Sequence, residues 1–92
     1  MQFSWDPKKA VTNLQKHGVG FEEALSVFRD PLAWIHDDPD HSIGEWREII
    51  IGHSDSGRLI LVSFTERGDV IRLINARVPD ATERRDYEEG NW

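Results

Sequence analysis

The chain has 92 residues and no cysteine, which fits one domain with a modest core and excludes disulfides, thiolate metal sites and cysteine nucleophiles. Hydrophobic residues make up 38% and charged residues 30%. This composition excludes a disordered chain, and no apolar run approaches the ~18 residues of a membrane-spanning helix. The formal net charge of −6 opposes binding to nucleic acid, so an RNA site requires a local basic face.

The N-terminus carries no basic region followed by an apolar stretch, so we expect no signal peptide and a single cytoplasmic domain over residues 1–92. Phe3 and Trp5 alternate with polar neighbours, which predicts a short strand. Asp6-Pro7 predicts the start of a helix over residues 7–17, because Asp caps the free N–H groups and Pro at the first position loses no hydrogen bond. Gly18 is suited to end that helix.

A second helix is predicted from the spacing of Phe21, Ala24, Leu25 and Phe28. Asp30-Pro31 ends it, since the residue before proline is disfavoured in helical conformation. Residues 32–36 are then predicted to form a strand that leads into an acidic loop.

The C-terminal half predicts a β-meander followed by a short polar helix. Strands are expected over residues 47–53, 59–66 and 70–77, with a helix over residues 82–89. The order of elements indicates an α+β fold, in which two N-terminal helices pack on a small antiparallel sheet.

The hairpin around Gly68-Asp69 sets which side chains share a face. With these two residues as the turn, Arg67 pairs with Val70 and Thr65 with Arg72. One face then covers the helices, and the other is polar and cationic near the turn. The expected helix-side residues are Ile60, Val62, Phe64, Ile71 and Leu73, and the opposite face carries Leu61, Ser63, Thr65, Arg67, Arg72 and Ile74.

Several short motifs lie in a fixed order along nearly the whole chain. The N-terminal motifs are Trp5-Asp6-Pro7-x-Lys9, Asn13-Leu14-x-Lys16-His17-Gly18-Val19, Phe21-Glu22-Glu23-Ala24 and Phe28-x-Asp30-Pro31. The C-terminal motifs are Glu45-x-Arg47, Ile51-Gly52, Gly57-Arg58, Phe64-Thr65-Glu66-Arg67-Gly68, Ile71-Arg72, Ala76-Arg77 and Glu83-Arg84-x-x-Tyr87-Glu88. Their joint spacing resembles the BrnT toxins of type II toxin–antitoxin systems, within the RelE/ParE-like superfamily.

This resemblance implies a RelE-like fold and an endoribonuclease that arrests growth by stopping translation. It implies a BrnA-type antitoxin as protein partner, RNA as substrate, and contact with DNA only through the antitoxin. No membrane partner is expected. The resemblance leaves open whether the toxin forms a homodimer or a heterotetramer with the antitoxin.

Cleavage of RNA by its own 2′-hydroxyl needs no metal or other cofactor, and we expect neither here. It needs cations that stabilise the charged transition state, and a guanidinium binds phosphate oxygens in a planar fork. Arg67 and Arg72 are therefore the first candidates for phosphate binding and catalysis, unless they are solvated residues paired with Glu66 or Glu48. Arg77 is a weaker RNA-binding candidate, expected on the helix side and able to pair with Asp6.

Proton transfer has two candidates. Glu66 could act as general base beside Arg67, although pairing with arginine is the simpler role. His17 suits acid–base work, but it and Lys16 also sit where a helix C-terminus favours cations. Lys16 is in addition an RNA-binding candidate. Tyr87 either stacks on a base or docks the last helix.

The remaining candidates concern metal and partner binding. His36, His41 and His53 follow no metal-ligand spacing, so an exposed acidic loop is the simpler interpretation, with no metal site. Trp34 and Trp46 either fill the core or, if exposed, provide anchors for the antitoxin.

Two rival functions remain open at the level of sequence. The first is a RelE-like binding module that contacts a protein or the ribosome without cleavage, which the acidic charge and the lack of a convincing general base favour. The second is a degenerate toxin that acts only in control of its own promoter.

Overall fold

The computed structural model describes residues 1–92. It contains three α-helices and five β-strands, which confirms the predicted α+β class. The elements are β1 (Gln2–Ser4), α1 (Pro7–His17), α2 (Phe21–Ser26), β2 (Trp34–Asp37), β3 (Glu48–His53), β4 (Leu59–Arg67), β5 (Val70–Arg77) and α3 (Ala81–Glu88), with 3₁₀ turns at Val27–Arg29 and Pro39–His41. None of the helices has the length and apolar character needed to cross a bilayer.

The first helix has the bounds predicted from its capping residues. The Asp6 carboxylate accepts a hydrogen bond from the Lys8 backbone N–H at 2.9 Å, and Pro7 occupies the first turn. Gly18 ends the helix with a φ of 68°, and its N–H donates to the Leu14 carbonyl at 2.9 Å. A left-handed residue at this position favours glycine, so the helix end is encoded locally.

The segment after α2 is held by one carboxylate. Asp30 accepts the backbone N–H of Leu32 at 2.9 Å and that of His53 at 2.8 Å, which ties the entry to β2 against the end of β3. Gly52 makes this approach possible, since a Cβ there would lie 2.8 Å from the Cβ of Ala33. Strand β2 therefore starts at Trp34, two residues later than the sequence pattern indicates.

The sheet has the order β1-β5-β4-β3-β2. Strands β2 to β5 form the predicted antiparallel meander. Strand β1 pairs with β5 in parallel, with Phe3 opposite Ile71, so the expectation of a wholly antiparallel sheet is wrong. The partner strand β5 follows β1 in the sequence only after both helices and the rest of the meander. The residue pattern near β1 therefore could not predict this pairing.

The last hairpin has the predicted register near its turn. Thr65 lies opposite Arg72, and Arg67 lies opposite Val70. Residues 60, 62, 64, 71 and 73 join α1 and α2 in the main core, as expected. We call this side of the sheet the helix face and the other side the outer face.

A β-bulge changes the register farther from the turn. The pairing shifts between Ser63 and Phe64, so that Ser63 lies opposite Asn75 and Leu61 lies opposite Arg77. Ile74 is the additional residue of the bulge. Arg77 consequently lies on the outer face, and its expected helix-side position is wrong because a bulge moves every later side chain to the other face.

The outer face has a smaller apolar cluster of its own, formed by Ile51, Leu59 and Leu61. These side chains are buried and lie outside the main core. Helix α3 packs at this face, where Glu83 binds Arg77 and Tyr87 contacts His53.

The side chain of Asn13 joins α1 to β5. Its amide nitrogen donates to the carbonyl of Ala76 at 2.8 Å and to that of Val19 at 2.9 Å, and its oxygen accepts the Ala76 N–H at 3.1 Å. Strand β1 covers β5 only as far as Arg72. The buried amide of Asn13 therefore supplies hydrogen bonds that a neighbouring strand would otherwise provide.

Helix α2 is joined to the β3–β4 turn by Glu23. Its carboxylate accepts hydrogen bonds from the Arg58 guanidinium at 2.6 and 2.8 Å and from the hydroxyls of Ser54 and Ser56. These bonds, the one from Arg58 above all, lower the pKa of Glu23 to about 2, against the opposing effect of burial.

We predict that Asn13→Ala destabilises the protein by about 2–4 kcal/mol, because buried backbone groups of Ala76 and Val19 lose their partners. Gln15→Ala, an exposed change on the same helix, is the matched control and should alter the free energy of unfolding by less than about 0.5 kcal/mol. Urea denaturation measures both. Equal stability of the two variants would contradict the role of Asn13.

We predict that the Glu23 network stabilises the fold only above a defined pH. The pKa of Glu23 is about 2 in the folded state and near 4.5 when unfolded, so its contribution is fully present above pH 4.5 and is lost as the pH falls towards 2. The stability difference between wild type and Glu23→Gln should shrink across this range in urea titrations. Glu22→Gln, an exposed neighbour on the same helix, is the matched control.

Candidate functional site

Arg67 lies on the outer face, but it is not free. Its guanidinium binds the Glu45 carboxylate through contacts of 3.1 to 3.2 Å. The expected carboxylate partners were Glu66 and Glu48, and the structure provides Glu45 in their place. About half of the Arg67 side chain is exposed, and an exposed ion pair of this kind stabilises little, so a phosphate can compete for it.

Arg72 lies on the same face, opposite Thr65, and is half-buried. It forms no ion pair. The hairpin thus presents both predicted guanidinium groups on the outer face, and Arg72 is the one whose charge is not neutralised.

Glu66 lies on the helix face, opposite Ile71, next to a recess formed with Met1, Gln2 and Asp69. Neighbouring residues of a strand point to opposite faces, so Glu66 does not share the face of Arg67, and its suggested role as general base stays a prediction. Its charge instead acts on Glu48, whose pKa is raised by burial and further by Glu66 and Asp37.

The outer face contains a cleft of about 340 Å³ between the meander and the loop that follows β2. We call it the outer-face cleft. It is polar for the most part, and its lining residues are Asp38, His41, Arg47, Ile49, Leu61, Ser63, Ile74, Asn75 and Arg77. Most of these residues were not among the site residues predicted from the sequence.

A histidine and a carboxylate form a pair at the cleft. Nδ1 of His41 lies 2.9 and 3.0 Å from the two carboxylate oxygens of Asp38. The 3₁₀ turn at Pro39–His41 makes this contact, since side chains three residues apart align in such a turn. The three-residue spacing in Asp38-Pro39-x-His41 could have predicted this pair from the sequence.

Arg47 is held beside this pair by the loop backbone. The Ser42 hydroxyl donates to the Asp38 carbonyl at 2.7 Å and accepts the Arg47 N–H at 2.9 Å. The Arg47 guanidinium forms no ion pair, and its buried Nε has no hydrogen-bond partner. Ile49 of β3 lies on the outer face, opposite Ser63. Side chains two residues apart in an extended strand share a face, so the sequence pattern could have assigned Arg47 to the outer face.

Arg77 is the second guanidinium of the cleft. It binds Glu83 through contacts of 2.7 and 2.8 Å, so the suggested partner Asp6 is wrong. The pair raises the pKa of Arg77 and lowers that of Glu83. Glu83 also accepts the Asp80 N–H in the capping box that starts α3, so this ion pair holds α3 beside the cleft.

His17 and Lys16 lie in a second recess, of about 260 Å³, on the edge of β5 beyond the end of β1. Ile74 and Asn75 line both this recess and the outer-face cleft. The bulge segment of β5 therefore connects the predicted residues of α1 to the cleft.

Tyr87 docks α3 against the sheet, and its alternative role in stacking on an RNA base stays a prediction. Its ring meets that of His53 edge-on at 5.9 Å, and its hydroxyl lies 3.5 Å from the Leu32 carbonyl. Burial, together with the Asp30 carboxylate, raises the pKa of the Tyr87 hydroxyl.

The histidines outside helix α1 occupy separate places. His36 contacts the ring of Trp92, and His53 lies 3.8 Å from Asp30. His41 binds Asp38, as described above. No group of three or more metal-binding side chains converges in the structure.

Trp34 and Trp46 are both exposed, at 44% and 54% of their surface. Trp34 belongs to β2, the edge strand of the sheet, in which all four residues are exposed. Trp46 donates a hydrogen bond from its ring nitrogen to Asp37 at 2.9 Å. The two rings therefore flank an acidic, open sheet edge.

Comparisons with known proteins identify both a sequence family and a similar solved structure. A sequence model of the family described as the ribonuclease toxin BrnT of type II toxin–antitoxin systems matches residues 5–83. The chain is also similar to the 1.1 Å crystal structure of the Brucella abortus ribonuclease toxin BrnT, with a TM-score of 0.64 and 27% sequence identity. That alignment covers 87% of this chain and 97% of the other. No curated protein sequence matches the chain.

Proposed function

This chain belongs to the BrnT family of ribonuclease toxins from type II toxin–antitoxin systems, and we propose that it is an endoribonuclease that cleaves RNA in its outer-face cleft. The observation that carries the proposal is the pairing of His41 with Asp38 beside Arg47, a guanidinium with no carboxylate partner. A RelE-like arrangement is part of the same proposal, supported by the helix pair that covers one face of the sheet.

The proposed reaction is attack of the 2′-hydroxyl oxygen on the adjacent phosphorus. The bond from phosphorus to the 2′-oxygen forms and the bond to the 5′-oxygen breaks, which leaves a 2′,3′-cyclic phosphate and a 5′-hydroxyl. The reaction needs a proton acceptor, positive charge at the phosphate oxygens and a proton for the leaving oxygen. It requires no metal.

His41 accepts the 2′-hydroxyl proton in this proposal. Asp38 engages Nδ1, which orients the ring and leaves Nε2 for proton transfer. The leaving 5′-oxygen takes its proton from water or from His17, the second group that we propose for proton transfer.

Arg47, which lines the cleft, binds the phosphate and stabilises its transition state, and Arg72, which lies on the same face outside the cleft lining, adds positive charge for the RNA. Neither guanidinium group forms an ion pair with a carboxylate, so their charge is available to the substrate. Arg77 contributes less charge, because Glu83 already neutralises it, and Arg67 extends RNA binding once Glu45 is displaced.

A BrnA-type antitoxin is the proposed protein partner, and it alone contacts DNA. The exposed edge of β2 supports a docking position there, because unpaired backbone groups of an edge strand accept an added strand. Trp34, Ile35 and Trp46 supply apolar anchors. The exposed carboxylates at and just after this edge, Asp37 and Asp40, favour a basic segment of the antitoxin.

We predict that His41→Ala lowers the rate of RNA cleavage about 10²–10⁴-fold, as loss of a general base does. Arg47→Ala should lower it about 10²–10³-fold through lost transition-state stabilisation. Gel analysis of a defined RNA with the purified protein measures both, and a chelator should leave cleavage unchanged. Arg29→Ala removes an exposed arginine outside the cleft and is the matched control.

Expression in a bacterial host separates the rival functions. Growth arrest with cleaved RNA supports the nuclease, arrest with intact RNA supports a binding module, and absence of arrest supports a degenerate toxin. Full cleavage by folded His41→Ala would contradict the role assigned to His41.

We predict that Trp34→Ala and Trp46→Ala together weaken antitoxin binding about 10³-fold, since two buried tryptophan anchors that contribute about 2 kcal/mol each sum to about 4 kcal/mol. Calorimetric titration of the toxin with the antitoxin encoded beside it measures the effect. Val11→Ala removes an exposed apolar side chain of α1 and should leave the affinity unchanged. Undiminished affinity of the double variant would exclude this edge as the docking position.

A further inference from the structure

All three lysines of the chain line a single recess. Lys8, Lys9 and Lys16 surround the cavity at the edge of β5, and His17 adds a fourth basic side chain. We call this cavity the lysine recess. No acidic side chain lines it, and helix α1 contains no acidic residue along its length. A local positive surface is thus present in a chain whose net charge is −6.

The lysines differ from most arginines in their pairing. Five of the eight arginines bind a carboxylate: Arg29, Arg58, Arg67, Arg77 and Arg84. None of the three lysines forms an ion pair, and all three are exposed. Their charge is therefore available to an external ligand.

The position of the recess follows from two features of β5. Strand β1 ends opposite Arg72, which leaves the rest of the β5 edge without a strand neighbour. Asn13 then brings α1 against that edge at Ala76, and the basic side of α1 comes to lie next to Ile74 and Asn75. The same two residues line the outer-face cleft, so one short segment separates the recess from the cleft.

We propose that the lysine recess is a second phosphate-binding site, which holds the RNA backbone beside the nucleotides that occupy the cleft. This inference rests on the proposed ribonuclease function and deepens it. The RNA crosses the sheet edge at Asn75, with one stretch in the outer-face cleft and the next along α1. The substrate is therefore an RNA of several nucleotides, because one nucleotide would not reach both cavities.

The composition of the recess favours a nucleic acid over an acidic protein segment. Ile74 is its one apolar lining residue. Protein partners gain most of their affinity from apolar and aromatic anchors. Phosphate backbones are bound by charge alone, which lysine provides without a fixed geometry.

The first test compares salt dependence. The probe is a fluorescein-labelled 2′-O-methyl RNA of about 12 nucleotides, which cannot be cleaved because its 2′-oxygens are blocked. Replacing all three lysines by glutamine should reduce the slope of log affinity against log salt by about 2, at ~0.7 for each lost contact with single-stranded RNA. The charge-preserving K8R/K9R/K16R variant should bind with the wild-type slope.

The second test compares RNA lengths. An RNA of about 4 nucleotides fills the cleft alone and should bind the wild type and the K8Q/K9Q/K16Q variant equally. With the longer cleavable RNA, the variant should show a KM at least tenfold higher at an unchanged kcat. Arg85→Gln, which removes one unpaired cation of α3, is the control and should change neither constant.

Several outcomes would overturn the proposal. An unchanged salt slope in the glutamine variant would do so, and so would a lower antitoxin affinity with intact RNA binding, which would assign the recess to the protein partner. All three positions are exposed, and circular dichroism of each variant verifies the fold. If the glutamine variant shows the reduced slope with the uncleavable RNA but the wild type cleaves no RNA, the ribonuclease function fails and the phosphate site stands.

Discussion

The hydrogen bonds between Asn13 and Ala76 determine how the two halves of the molecule meet. Both partners are buried, and the amide replaces the strand that β5 lacks beyond Arg72. A side-chain amide carries one donor group and one acceptor in a single plane, so it matches the N–H and carbonyl of one strand residue. Because this contact sets the position of α1 along the sheet, it also sets where the basic side of α1 lies relative to the cleft.

Features that depend on neighbouring residues were predictable from sequence, and features that depend on distant ones were not. The bounds of α1 follow from Asp6, Pro7 and Gly18, all within or next to the helix. The hairpin register follows from the Gly68-Asp69 turn and holds as far as Phe64. The bulge beyond it has no local signal, and this one extra residue is enough to move Arg77 from the helix face to the outer face.

The candidate site shows the same division. Arg67 and Arg72 were assigned to the correct face because their positions depend only on the turn. The site residues predicted from the sequence did not include Arg47 and His41. Their position at the cleft depends on how a loop folds back over the sheet through the hydrogen bonds of Ser42. The ion-pair partners of the arginines were harder to predict than their faces. Arg67 binds Glu45 and Arg77 binds Glu83, and sequence spacing alone suggests neither pair.

Charge is distributed unevenly across the sheet, with consequences for how the molecule meets its ligands in solution. The lysines lie by β5, whereas Asp37, Asp38 and Asp40 lie at or next to β2, three strand spacings or about 14 Å away across the sheet. This separation gives the molecule an electric dipole roughly along the strand order. A polyanion approaching at random is therefore repelled by the β2 end and drawn towards α1, so its encounters are oriented before any specific bond forms.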